Sequence, residues 1–124
     1  MKTFRKKWNN VAVQDSGCVM SKEAKSFVTA FRNMLRRTLE PFDINVISLT
    51  PNHYDCSGFV EKDGKYVYLS YSIPRYGERI SFSDSGVRNG VLYRTAEGPK
   101  DFRGGNNHFS SIEKISDNII RMIG

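Results

Sequence analysis

The sequence predicts an α+β domain in which an antiparallel sheet of about five strands packs against an N-terminal amphipathic helix, with a short C-terminal helix at the end. The first observation is that apolar residues recur every three or four positions between residues 22 and 39, which is the period of a helix. The second is that β-branched and aromatic runs, separated by turn residues, follow from residue 42 to residue 96. Helical spacing then returns after residue 110.

Length and composition predict one domain, residues 1–124. A chain of 124 residues with 39% hydrophobic content buries a core without disulfides or metal. Within it we expect a basic N-terminal arm and turn at residues 1–20 and the α+β core at residues 21–124. The charged start has no apolar h-region after it, and no run reaches the ~18 apolar residues of a membrane span. We therefore expect a cytoplasmic protein with no membrane contact and reduced thiols.

The first helix is predicted from about Lys22 to Leu39, with Ser21 as its N-cap. Pro41 ends it, because the residue before a proline disfavours helical backbone angles. Placed at 100° intervals, the apolar residues form one stripe centred on Phe31. Four cations cluster on the opposite face: Lys22, Lys25, Arg32 and Arg36.

Asp63-Gly64, between two strand-like runs, predicts a two-residue type I′ hairpin. This turn sets the pairs Lys62 with Lys65, Val60 with Val67, Gly58 with Leu69, Cys56 with Tyr71 and Tyr54 with Ile73. All but the first pair share one apolar face, because side chains alternate along a strand and paired residues point the same way. We expect that face to pack against the helix.

Three further runs are predicted as strands: FDINVISLT at 42–50, RISFSD at 79–84 and VLYRTA at 91–96. Residues 97–109 show no periodicity and are predicted as a loop. Ser110 and Glu113 match a capping box that would start the last helix. Its apolar stripe is formed by Ile112, Ile115, Ile119 and Met122.

The chain has two cysteines and two histidines, Cys18, His53, Cys56 and His108, which are the ligand types of a Cys₂His₂ zinc site. Only His53 and Cys56 have a short spacing, and in a regular strand these two residues point to opposite faces. We therefore expect a reduced Cys56 in the core and no metal or cofactor, with structural zinc as the alternative. Cys18 precedes a helix N-terminus, where a thiolate is stabilised, but no catalytic partner is identifiable.

The positive charge of the chain is concentrated in its first third. Residues 1–37 carry nine Lys or Arg against two acidic residues, a net charge of +7, whereas the remaining 87 residues carry ten basic and eleven acidic groups, a net charge of −1. This distribution predicts a polyanionic or acidic-surfaced partner. The predicted contacts are the four helix cations, with Lys6, Lys7 and Trp8 in support and Arg103 of the Gly-Gly loop as an anion-binding candidate. Trp8 or Phe4 would stack on a base.

Three stretches, DSGCVMSKEAKSFVTAFRNMLRRTLEPF, SGFVEKDGKYVYLSYSIPR and LYRTAEGPKDFRGGNNHF, resemble small uncharacterised proteins of phages and other mobile elements of Firmicutes. Small basic proteins of such elements include inhibitors of host defence, among them anti-CRISPR proteins that bind a Cas nuclease or its guide complex. The resemblance implies a non-enzymatic inhibitor in the cytoplasm of the host bacterial cell, binding a Cas nuclease or its DNA or RNA through a basic face. The alternatives are a free-standing nucleic-acid-binding regulator and an enzyme that uses the Gly-Gly loop.

Overall fold

The computed structural model describes residues 2–12, 21–51, 55–74, 79–82, 90–101 and 105–124. Within these ranges it has three helices: α1 (Lys2–Trp8), α2 (Lys22–Leu39) and α3 (Ile115–Ile123). It has five strands: β1 (Asn45–Pro51), β2 (Asp55–Lys62), β3 (Lys65–Ser72), β4 (Val91–Ala96) and β5 (His108–Ser110). The strands form one antiparallel sheet in the order β1-β2-β3-β4-β5. The predicted α+β class, with about five strands and helices near both ends, is confirmed.

Helix α2 begins and ends where the sequence predicts. The Ser21 hydroxyl accepts a hydrogen bond from the Ala24 N–H at 3.1 Å, which satisfies one of the free donors of the first turn. After Leu39, the chain tightens into a 3₁₀ turn, Glu40–Phe42, and Asp43 takes a left-handed conformation that turns it toward β1. The buried side of α2 is its apolar stripe: Ala24, Phe27, Val28, Phe31, Met34, Leu35 and Leu39.

The β2–β3 hairpin has the predicted register. Gly58 pairs with Leu69 and Cys56 with Tyr71, while Asp63 and Gly64 have φ angles of 50° and 80°, as a type I′ turn requires. Tyr54 lies outside the described residues, so its pairing with Ile73 stays a prediction. Helix α2 lies against the face that carries Tyr71, since the ring centroids of Phe27 and Phe31 lie 5.6 and 6.0 Å from that of Tyr71. Helices α1 and α3 pack on α2.

The predicted strand at 79–84 is wrong over its described part, residues 79–82. Ile80 exchanges backbone hydrogen bonds of 2.7 and 3.0 Å with Asn10 and Val11, so this segment is held by the chain that leaves α1. Ile80 and Phe82 are both buried in the core. The fifth strand is instead β5, which pairs with β4 and takes up the last residues of the predicted loop.

The predicted start of the last helix is also wrong. Helix α3 begins at Ile115, and Ser110 is a β5 residue whose hydroxyl donates to the Ser111 carbonyl and accepts from the Asn118 amide. A turn stabilised by the Ser111 hydroxyl, which accepts from the Lys114 N–H at 3.3 Å, separates β5 from α3. The capping box therefore does not form, although Ile115 and Ile119 are fully buried as the apolar stripe predicts.

Residues 2–8 of the predicted arm form helix α1, which docks on α2. Phe4 and Trp8 are four positions apart, so their rings lie on one side of the helix. Both are buried, with ring centroids 5.7 and 5.5 Å from that of Phe27. Arg5 forms an ion pair with Glu113, which ties α1 to the turn before α3.

Gly58→Ala tests the close approach between β1 and β2. A Cβ at Gly58 would lie 1.8 Å from the Ser48 carbonyl oxygen, so the two backbones would have to separate. We expect a loss of about 2–3 kcal/mol in the free energy of unfolding, as in overpacked cores. Urea unfolding monitored by circular dichroism measures it. Gly98→Ala is the control, because a Cβ at Gly98 meets no atom within 4 Å, and equal stability of the two variants would contradict the described approach.

Candidate functional site

Helices α1 and α2 bound a shallow surface groove of about 410 Å³. Its lining is formed by Lys7, Lys22, Lys25, Ser26, Thr29, Ala30 and Asn33. Three of these side chains are ammonium groups, and three others are neutral hydrogen-bonding groups. The lining therefore combines positive charge with short polar side chains, which is the chemistry of an oxyanion-binding surface.

The helical periodicity of the sequence explains this lining. On α2, the lining residues from Lys22 to Asn33 recur at three and four positions, so they form one row along the face opposite Phe31. On α1, burial of Phe4 and Trp8 leaves Lys7 at the surface. The Lys7 ammonium lies 5.3 Å from the centroid of the Trp8 ring, a cation–π distance that holds it near α2.

The groove lysines keep their charge uncompensated within the described part of the chain. Arg5 of α1 is paired with Glu113, but among the described residues no carboxylate forms an ion pair with Lys7, Lys22 or Lys25. Lys22 and Lys25 also lie in the first turns of α2, where the helix dipole slightly disfavours cations. The local structure therefore concentrates positive potential at this end of α2.

The structure brings together three of the predicted contact residues and separates others from them. Lys7, Lys22 and Lys25 share the groove. Lys6 is exposed on α1, and Arg36 is exposed on α2. Arg36 lies eleven residues beyond Lys25, about 16 Å along the helix axis, so it extends the basic face outside the groove. Arg103 lies outside the described residues.

Arg32 does not belong to this free basic face. Its guanidinium donates a hydrogen bond to the Leu49 carbonyl of β1 at 3.2 Å, and its Nε is buried without a partner. Position 32 lies at the border of the polar face, on the side where α2 meets the sheet. This hydrogen bond links α2 to β1, and the role of Arg32 as a partner contact stays a prediction.

Trp8 is not available to stack on a base, contrary to the sequence-based expectation. Only 5% of its surface is exposed, and Phe4 is equally enclosed. The i, i+4 spacing of two aromatic residues was the signal for this burial, because it places both rings on one helix face. Four lining residues, Ser26, Thr29, Ala30 and Asn33, were not predicted as contacts from the sequence, although the 100° projection places Ser26, Thr29 and Asn33 on the same polar face as Lys22.

Cys56 is a buried core residue, as predicted, and has a free thiol. Cys18 and His53 lie outside the described residues, and in the remainder of the chain no three His, Cys, Asp or Glu side chains form a metal-binding group. His108 is exposed, and its ring lies 5.3 Å from that of Tyr93. Of the four predicted zinc-ligand candidates, Cys56 therefore lies in the core and His108 lies at the surface.

Comparison with known proteins gives no family model, curated protein or solved structure that matches this chain. Among the described helices, none is long and apolar enough to cross a membrane.

The buried thiol predicts a loss of stability at alkaline pH. Burial, reinforced by the nearby Asp55 carboxylate, raises the pKa of Cys56 from 9.0 to about 12. The folded protein holds the thiol proton more tightly than the unfolded chain, so this contribution is complete below pH 9 and is lost as the pH rises toward 12. We expect the free energy of unfolding to fall over this range and to fall less steeply in Cys56→Ala.

Urea midpoints at pH 8, 10 and 11 measure this dependence. Ser72→Ala, a change at an exposed β3 residue, is the control and should keep the wild-type pH profile. Identical profiles for wild type and Cys56→Ala would exclude a shifted Cys56 thiol as a cause of the alkaline loss.

Proposed function

We propose that this protein is a non-enzymatic binding protein of a mobile element that inhibits host defence in the manner of an anti-CRISPR protein. It engages a Cas nuclease, or the nucleic acid bound to it, through the basic face of α1 and α2. The observation that carries the proposal is the groove lined by Lys7, Lys22 and Lys25. The defence context follows from the predicted resemblance to small mobile-element proteins.

The arrangement of charge supports a polyanionic partner. The groove lysines lack ion-pair partners among the described residues and are placed on one side of the molecule by the docking of α1 on α2. Lysines near the start of α2 slightly destabilise the helix, so helix stability does not explain them. A negatively charged surface brought against them offsets that cost and is attracted over a distance of about 10 Å at 0.1 M salt.

An inhibitor of this kind acts by occupancy. It forms a stoichiometric complex with the nuclease or its guide complex and covers the surface on which target nucleic acid binds. Inhibition therefore saturates at one equivalent of protein per binding site and weakens as salt screens the basic face.

The second candidate is a free-standing nucleic-acid-binding regulator. The neutral donors Ser26, Thr29 and Asn33, which line the same groove as the lysines, favour it because such side chains commonly contact phosphate and sugar oxygens. A regulator acts through nucleic acid alone, whereas an inhibitor also suppresses cleavage by the nuclease, so gel shifts with the protein alone together with a DNA-cleavage assay separate the two functions.

Lys22→Glu with Lys25→Glu tests the proposed function. Both side chains are exposed, so the fold should be preserved, and two charge reversals at the groove should weaken capture of the nuclease at least tenfold. The measurement is a pull-down from a Cas-containing host lysate, with and without nucleic-acid digestion, followed by a DNA-cleavage assay. Lys65→Glu with Lys100→Glu is the matched control, since it makes the same charge change at exposed residues outside the groove. Undiminished capture and inhibition by the groove variant would refute the proposal.

A further inference from the structure

We infer that the groove between α1 and α2 binds the phosphodiester backbone of duplex nucleic acid and does not read its bases. The inference rests on the proposed function, because it specifies the chemistry that the basic face recognises. It assigns the groove lysines to phosphates and the neutral donors to phosphate and sugar oxygens.

The groove lining matches a sugar-phosphate backbone in composition. Lys7 on α1 and the pair Lys22 and Lys25 on α2 bring ammonium groups from two helices to one surface. Ser26, Thr29 and Asn33 add hydroxyl and amide groups beside them, and no carboxylate is among the described lining residues. Hydroxyl, amide and ammonium groups are among the side-chain groups that contact phosphate and sugar oxygens in protein–DNA complexes.

The shape of the groove favours the backbone over the base edges. A helix that reads bases inserts into the ~12 Å wide major groove, so that its exposed side chains contact the base edges. Here the short side chains of Ser26 and Thr29 lie in a depression, and the longer Lys7 side chain comes from the neighbouring helix. A ridge on the ligand fits such a depression, and the ridges of a duplex are its two sugar-phosphate strands.

Aromatic burial excludes Phe4 and Trp8 as stacking surfaces for single-stranded bases. Single-stranded ligands are usually held by aromatic rings that stack on successive bases. Phe4 and Trp8 belong to the core of the protein, and no aromatic residue is among those that line the groove in the described ranges. A duplex also offers higher charge density, with about one charge per 1.7 Å of axis, so recognition by positive charge favours it over a single strand.

The basic face extends along most of α2. From Lys22 to Arg36 the helix advances about 21 Å, which matches about six base pairs of duplex. Arg36 and Arg37 are exposed at the far end. Arg36 therefore lies within reach of a duplex that also contacts the groove lysines, whereas Arg37 lines a separate pocket beside α3.

The test is fluorescence anisotropy with the full chain and three labelled probes of equal length: two duplexes of unrelated sequence, about 12 base pairs long, and one of their single strands. We expect the two duplexes to bind within about twofold of each other and the single strand to bind more weakly. Combining Lys7→Gln, Lys22→Gln and Lys25→Gln should weaken both duplexes equally, at least tenfold at 0.1 M salt. It should also lower the slope of log affinity on log salt by about 2.7, the value for three lost phosphate contacts.

The matched control combines Lys62→Gln, Lys65→Gln and Lys100→Gln, which removes the same charge outside the groove. Equal effects of the two triple variants, a preference for the single strand, or a tenfold difference between the duplexes would each overturn the inference. If duplex binding fails while the protein still captures the nuclease after nucleic-acid digestion, the inference is wrong and the proposed function stands. If the groove binds duplex as described but neither captures nor inhibits a nuclease, the proposed function alone is wrong.

Discussion

The packing of α2 on the β2–β3 hairpin is the contact on which the rest of the structure depends. The rings of Phe27 and Phe31 both pack against the ring of Tyr71 in this contact. Each such aromatic pair contributes about 0.5–1.5 kcal/mol beyond the burial of its surface. Helix α1 reaches the core through Phe27, and α3 reaches it beside α2, where Thr38 and Ser116 share a hydrogen bond of 2.6 Å. The groove exists because two helices use the same aromatic cluster, so its geometry is fixed by the core.

The elements that the sequence predicted well are those with complete local signals. Helix α2 has its cap at Ser21 and its apolar period within its own residues, and the hairpin register follows from Asp63-Gly64 alone. The errors occurred where distant contacts decide the outcome. Residues 79–82 were predicted as a strand, but their backbone is hydrogen-bonded to the residues that follow α1. Ser110 matched a capping box, but it pairs with β4 as part of β5 and its hydroxyl accepts from Asn118.

The candidate site was predictable to the extent that one helix forms it. The projection of α2 placed Lys22 and Lys25 on a common polar face, because helical geometry alone sets that relation. Lys7 lies beside them only because α1 docks on α2. Arg32 does not line the groove, and its guanidinium donates a hydrogen bond to β1. Side-chain partners across elements are decided by tertiary packing, which spacing along the sequence does not encode.

The contact of Arg32 with β1 has a consequence for self-association. β1 is an outermost strand, and an open strand edge is a template on which another chain can extend the sheet. At this edge the register shifts between Val46 and Ser48, Pro51 ends the strand without an amide donor, and Arg32 occupies the Leu49 carbonyl. These three features make the β1 edge a poor template for a further strand.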